Sequence, residues 1–334
     1  MLRTLILGIV QGLTEFLPIS SSAHLSIVPK LLGLRTPELA FDVLLHFGTL
    51  AAVVVYFARD LWAFLLSLVA PGVLGQREAV ARRRQLGLLA IASIPAAIFG
   101  YLLQNWADEQ TSRPLRSAVW LVLTTLIMIA AELWARSHPA PATGGTIREA
   151  EAATAERAPA SLFEKEPVDP EPAQVQLAAA AARPMTRAEI RRQRQDAPAQ
   201  PGSATEELER LPLGKAVGIG LAQAVALIPG TSRSGVTISA GLFEGISREA
   251  AARFSFLLSI PAILGAGVLK LDDLSQASES TAQLAVGFLA AAVSGFLAVS
   301  FLIRMLRTRT LWPFIWYRLI AGGLFVVLLA TVRG

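Results

Sequence analysis

Gln11-Gly-Leu-Thr-Glu15-Phe-Leu-Pro-Ile-Ser20-Ser-Ser-Ala-His24 and Pro229-Gly-Thr-Ser-Arg233-Ser-Gly-Val-Thr237 are two polar interruptions in otherwise apolar sequence. An Asp, Lys or Arg at a bilayer helix centre costs about 2.5–3.5 kcal/mol on insertion scales, so intramembrane ionisable groups mark functional sites by default. Beside the first interruption, Leu5–Leu17 and Ala23–Leu34 are short apolar runs separated by Pro18 and a serine run. At about 1.5 Å per residue, each covers roughly half a hydrocarbon core. The pattern predicts a re-entrant helix–loop–helix whose irregular middle is buried in protein at membrane depth. Ala216–Ile228 and Val236–Phe243 repeat it.

The rest of the chain has the same membrane character. Of 334 residues, 53% are hydrophobic and 16% charged, against about 25% charged in soluble domains. Val43–Phe57, Leu86–Leu103, Ala118–Leu133, Phe254–Leu269, Ala282–Ile303 and Leu311–Val332 approach or reach the ~20 residues of a spanning helix. The chain reads as an all-α polytopic membrane protein. Its net charge of +5 comes with arginines clustered between hydrophobic segments, as in cytoplasmic loops, and not with a nucleic-acid surface. Cysteine is absent, which excludes disulfides, thiol nucleophiles and cysteine metal sites. The N-terminus mimics a signal peptide, but Gln11, Thr14 and Glu15 interrupt its apolar region, so it reads as mature protein.

Residues 137–210 are rich in Ala, Pro, Glu, Arg and Gln and read as a disordered linker. Within them Thr186-Arg-Ala-Glu189 resembles a capping box for a short basic helix. The linker separates two membrane repeats, residues 1–136 and 211–334. Gly8-Ile-Val-Gln11 matches Gly220-Leu-Ala-Gln223; Phe41 follows Gln11 by 30 residues and Phe254 follows Gln223 by 31. Each half then holds one re-entrant pair and three full spans. Three is odd, so the halves insert with opposite orientation, as an inverted-topology repeat. Arg59, Arg77, Arg82, Arg83, Arg84, Arg304, Arg307 and Arg309 outnumber Arg113, Arg116 and Lys270 in the opposite loops. This places the first set and the linker in the cytoplasm. Leu61–Leu74 reads as an extension of the first span or an interfacial helix.

The two interruptions specify a ligand. Gln11 and Glu15, at i and i+4, share a helix face. Pro18 stops that helix, and Ser20, Ser21 and Ser22 cap the next, whose free N–H groups form an anion site. His24 follows one turn later. In the second interruption, Arg233 offers the planar fork suited to phosphate, with Ser232, Ser234 and Thr237 around it. Phosphate accounts for everything except Glu15, which would repel it. A divalent cation, Mg²⁺ or Ca²⁺, held by Glu15 and Gln11 resolves the conflict. Ser21 and His24 are a candidate nucleophile and base. Asp42 and His46, at i and i+4 in the first span, are a second polar pair.

These motifs resemble the signatures of the bacitracin-resistance type undecaprenyl-diphosphatase family. The first is a Glu or Gln, three residues, Glu, then Pro, a Ser pair and His, matched by Gln11, Glu15, Pro18, Ser20-Ser21 and His24. The second, Pro-Gly-x-Ser-Arg-Ser-x-x-Thr, is met from Pro229 through Thr237. The resemblance implies a multi-pass enzyme of the bacterial inner membrane, open to the periplasm, that dephosphorylates undecaprenyl diphosphate. Recycling of this polyprenyl lipid serves peptidoglycan synthesis and confers bacitracin resistance. It implies catalytic roles for Glu15, His24, Ser21 and Arg233, phosphate binding by Ser20, Ser22, Ser232, Arg233, Ser234 and Thr237, and a divalent cation. Gln11 in place of Glu leaves neutral ligation or hydrogen bonding at that position. Inverted repeats with broken helices also serve transport, so a lipid-phosphate flippase or anion transporter is the alternative. Oligomeric state is not encoded in these motifs.

Overall fold

The computed structural model describes residues 1–35, 38–111, 113–138, 203–270 and 279–331. Almost all of the expected linker and its basic helix from Thr186 lie outside the described residues, as does most of the loop after Lys270. Among the described residues all regular structure is helical. The two hydrophobic halves form one body, Met1–Ala140 with Glu207–Gly334.

Helix α1 (Leu2–Phe16) ends before Pro18, and α2 (Ser21–Leu31) starts after a short turn. Spanning helix α3 (Leu39–Tyr56) is followed by α4 (Ala58–Val69), α5 (Pro71–Leu74), α6 (Gln76–Thr111) and α7 (Pro114–Ser137). The end of the segment expected to be a disordered linker instead forms α8 (Ala204–Glu209), where Leu208 is buried and Glu207 accepts the Ser247 N–H at 2.7 Å. The second half contains α9 (Leu213–Val225), α10 (Arg233–Phe243), α11 (Arg248–Leu269), α12 (Thr281–Leu306) and α13 (Trp312–Thr331). Six of these, α3, α6, α7, α11, α12 and α13, are long and apolar enough to cross a membrane. They correspond to the six windows read from sequence. The Leu61–Leu74 stretch divides into α4 and α5 at Ala70, where Pro71 begins the second helix. Helix α6 extends well before its apolar window. Arg82 pairs with Asp60 of α4 at 3.1 Å, and Arg83 donates to the Ser67 carbonyl at 2.6 Å, so the charged first turns have partners.

The short helices pack against spans of the opposite half: α1 lies chiefly along α12, and α9 along α6. Small residues permit both contacts, as expected where apolar surface gains nothing by leaving lipid and close van der Waals fit drives association. A Cβ on Gly8 would lie 2.5 Å from the Gly287 carbonyl oxygen; one on Gly220 would lie 2.3 Å from that of Ala92. Gly8 and Gly220 are the positions that the sequence pairs between halves, so matching residues make matching crossings.

Either Gly8→Val or Gly220→Val should force a helix off its partner's backbone, at an overpacking cost of about 1–3 kcal/mol or more. The measurement is the thermal midpoint of the purified chain in detergent. Both variants are expected to melt below the parent, while Gly87→Val, which meets open space, leaves the midpoint close to it.

Candidate active site

Two serines set the site's geometry. Ser20 has φ 74° and Ser232 φ 71°, the only non-glycine residues with positive φ among those described. Each is the N-cap of the helix after a break, with its Oγ accepting an N–H three residues on, from Ala23 at 3.5 Å and from Gly235 at 3.2 Å. Each Oγ also lies beside the hydroxyl two residues on, Ser22 at 3.2 Å and Ser234 at 3.4 Å. A side chain in the left-handed region costs about 1–3 kcal/mol and persists where its surroundings over-determine it. Those surroundings are reciprocal. Ser22 Oγ accepts the Gly230 N–H at 3.0 Å, and Ser234 Oγ donates to the Leu17 carbonyl at 3.2 Å. The serine two residues past each cap secures the other break.

The breaks converge on Glu15. Its Oε1 accepts Arg233 Nη2 at 2.8 Å. Its Oε2 accepts Ser21 Oγ at 2.5 Å and Gln11 Nε2 at 3.2 Å. His46 Nε2 stands 3.7 Å from the same oxygen, and its Nδ1 lies 2.8 Å from the Asp42 carbonyl. Glu15, Ser21, His46 and Arg233 line a cavity of about 330 Å³, together with Ser20, Ser22, Asp42 and Ser232. Its apolar walls come from α3 (Leu39, Val43, Phe47) and α11 (Ala262, Ile263), with Lys270 at the end of α11.

Several residues expected at the site are elsewhere. His24 is buried but does not line the cavity. Its Nδ1 lies 2.7 Å from the Ser20 carbonyl and its Nε2 2.7 Å from the Tyr317 hydroxyl. Thr237 is fully buried, donates to the Arg233 carbonyl at 2.8 Å and contacts Ser255 Oγ at 2.5 Å, supporting the first turn of α10 from behind. Ser234 is spent on Leu17, and Gln11 lies behind Glu15 with its Oε1 buried and without a hydrogen-bond partner.

One residue was missed. Arg318 of α13 is fully buried. It donates to the Pro18 carbonyl of the first break and the Thr231 carbonyl of the second, both at 3.3 Å, and to Thr125 Oγ1 at 2.8 Å and the Leu121 carbonyl at 2.8 Å. Its position inside an apolar span was the available signal.

The arrangement sets two helix N-termini and one guanidinium around a cavity, beside a hydroxyl whose proton is directed at a carboxylate. The bacitracin resistance protein BacA profile matches residues 4–158 and 175–324. An undecaprenyl-diphosphatase of Alcanivorax borkumensis is 40% identical over 328 residues, covering 96% of each chain. Those of Chlorobium phaeovibrioides and Pelotomaculum thermopropionicum are 36% and 35% identical, with at least 97% of every chain covered. With its motifs in place and near-complete alignment to such relatives, the chain belongs to the bacitracin resistance protein BacA family.

Proposed function

We propose that this chain hydrolyses undecaprenyl diphosphate to undecaprenyl phosphate and inorganic phosphate, returning the carrier lipid to cell-wall synthesis and giving resistance to bacitracin. The observation that carries the reading is the Ser21–Glu15–Arg233 constellation inside a cavity capped by two helix N-termini. Phosphoryl transfer needs chiefly positioning and neutralisation of charge. Arg233 has donors beyond the one on Glu15, and the first turns of α2 and α10 supply backbone N–H groups. Together they bind the terminal phosphate and stabilise charge on its oxygens as the bridging bond lengthens.

Glu15 is placed to accept the Ser21 proton as Ser21 Oγ attacks the terminal phosphorus. The phosphorus–oxygen bond to the lipid phosphate breaks, and undecaprenyl phosphate leaves. Glu15 releases the Ser21 proton to solvent in the cavity. Water then cleaves the phosphoserine, giving its proton to Glu15, which passes it to Ser21 Oγ as the serine–phosphorus bond breaks. In the direct route, Glu15 takes the proton from water instead, and Ser21 only binds. His24, engaged with the Ser20 carbonyl and Tyr317, supports the strained cap at Ser20 in either route. A pure transporter has no need of a hydroxyl proton aimed at a carboxylate, which favours hydrolysis over the flippase alternative.

A divalent cation, Mg²⁺ or Ca²⁺ in the first instance, belongs to this reading. The unpartnered Gln11 Oε1 beside the Glu15 carboxylate supplies the hard oxygens that such ions take. When bound, the cation offsets phosphate charge next to Glu15. The inverted-topology arrangement is part of the same proposal, with one re-entrant pair and three spans per half. It is supported by the matched caps at Ser20 and Ser232 and by the exchange of α1 and α9 onto the opposite halves. With the loop arginines cytoplasmic, the cavity opens to the periplasmic face of the inner membrane.

Phosphate release from undecaprenyl diphosphate by the detergent-solubilised chain tests the activity, and a chelator should suppress it. No release under any metal condition would end the hydrolase reading. Glu15→Ala and Arg233→Ala should each lower kcat by at least about 10²–10³-fold, the usual cost of a lost transition-state donor, while inserting normally. Rates near the parent's would remove both from the site. Ser21→Ala separates the two routes: an inactive variant and a trapped phosphoserine in the parent mark the covalent path, and near-parental turnover marks direct attack by water.

A further inference from the structure

Of the chain's three histidines, His24 has both ring nitrogens engaged, and His138 stacks on Trp134 at the end of α7. His46 differs from both. Its Nδ1 is 2.8 Å from the Asp42 carbonyl oxygen, which can only accept, so Nδ1 carries the proton. In a neutral imidazole the other nitrogen then presents a lone pair. That nitrogen, Nε2, lies on the cavity wall 3.7 Å from Glu15 Oε2, beyond hydrogen-bond length. With the imidazole neutral, two acceptors face each other across a gap that opens on the cavity.

We propose that His46 Nε2 is a metal ligand, sharing one divalent cation with Glu15 Oε2 at the diphosphate site. The separation permits it. Typical metal–nitrogen and metal–oxygen bonds of about 2.1 Å sum to roughly 4.2 Å, so one ion reaches both atoms across 3.7 Å. Fixing a ligating imidazole by donating its other N–H to a backbone carbonyl is the usual outer-shell arrangement, and Asp42 provides it. A second, independent observation lies beside the pair: the buried Gln11 Oε1 lacks a partner, while its amide nitrogen touches the same Glu15 oxygen. Turning that amide over gives the cation a third ligand. The charged groups facing the gap, Glu15 and Asp42 against Arg233 and Lys270, balance formally before any diphosphate arrives. A cation is therefore what offsets the incoming anion.

The ligand set has a consequence for the metal. Imidazole suits Zn²⁺ and the later transition metals more than Mg²⁺ or Ca²⁺, which prefer oxygen. Mn²⁺, the first of the transition series, is oxygen-preferring but gains from a nitrogen ligand more than Ca²⁺ does. This chain pairs a neutral Gln11 with an imidazole, so its cation site is shifted toward the softer class. The inference rests on the reading of the cavity as a diphosphate site, but its test does not depend on turnover.

The probe is Mn²⁺ bound to the purified full chain in detergent, read by pulsed electron paramagnetic resonance. The parent should show ¹⁴N modulation from one imidazole, and Mn²⁺ should outcompete Ca²⁺. His46→Gln should abolish the modulation and weaken Mn²⁺ binding by about tenfold or more, the scale of changes at metal-site residues. A double variant, His24→Gln with His138→Gln, should keep the modulation, which assigns it to His46 even if the single variant folds poorly. Absence of Mn²⁺ binding, a nitrogen-free Mn²⁺ signal, or modulation that survives His46→Gln would overturn the proposal. Phosphate release with a nitrogen-free metal site would defeat this inference alone. A His46-bound Mn²⁺ in a chain that releases no phosphate would defeat the hydrolase reading alone.

Discussion

The ion pair between Glu15 and Arg233 joins residues 218 positions apart, at 2.8 Å, with both side chains largely buried between the two helix breaks. Neither charge is tolerable there alone. Removing one partner of a buried pair typically costs about 3–5 kcal/mol because the other is left uncompensated. Satisfying both requires the two helix breaks to meet, so assembly of the site and closure of the two halves are one event. The crossed serine bonds, Ser22 to Gly230 and Ser234 to Leu17, act along the same seam. They fix the register at which the charges meet.

Arg318 addresses a second difficulty of the same seam. Interrupting a helix frees carbonyls that a lipid environment cannot satisfy, and irregular backbone survives at membrane depth only where protein re-satisfies it. Arg318 reaches carbonyls on both breaks, at Pro18 and Thr231, and the threonines Thr124 and Thr125 of α7. Its fork of five donors matches a cluster of oxygen acceptors that no single hydroxyl could serve. The hydrogen bonds it makes here go to carbonyl and hydroxyl oxygens, so its role in the fold is to hold the two turns as one unit.

Much of this was legible in the residues. Six spanning helices follow from apolar length alone, and the paired breaks follow from prolines and serine runs in corresponding positions. Glu15 and Arg233 stood out because hydrocarbon makes isolated charge expensive. What sequence could not supply was direction. His24 sits one turn past the serines in both readings, yet helical rotation turns it to Tyr317 and away from the cavity. His46 lies on a distant helix and arrives beside Glu15 only through the packing of α3 on α1. Thr237 belongs to the motif but works behind Arg233, through Ser255. A motif records which residues are retained near a site, whereas the face each one presents depends on partners hundreds of residues away.

The two helix breaks are alike in backbone and unlike in charge. Ser20 matches Ser232 down to φ and capping bond. At the same spacing, however, the position of Glu15 is held by Leu227 in the second break, that of Ser21 by Arg233 and that of His24 by Val236. Two identical breaks would have placed like charges together or none at all. One break supplies the carboxylate and hydroxyl; the other supplies the guanidinium; both contribute a helix N-terminus. Two strained serines, at about 1–3 kcal/mol each, are the cost of aiming both N-termini into one cavity. A single break could present only one terminus, with no opposite wall to carry a counter-charge. Two breaks matched in backbone and opposed in charge are therefore what this fold sets around one cavity.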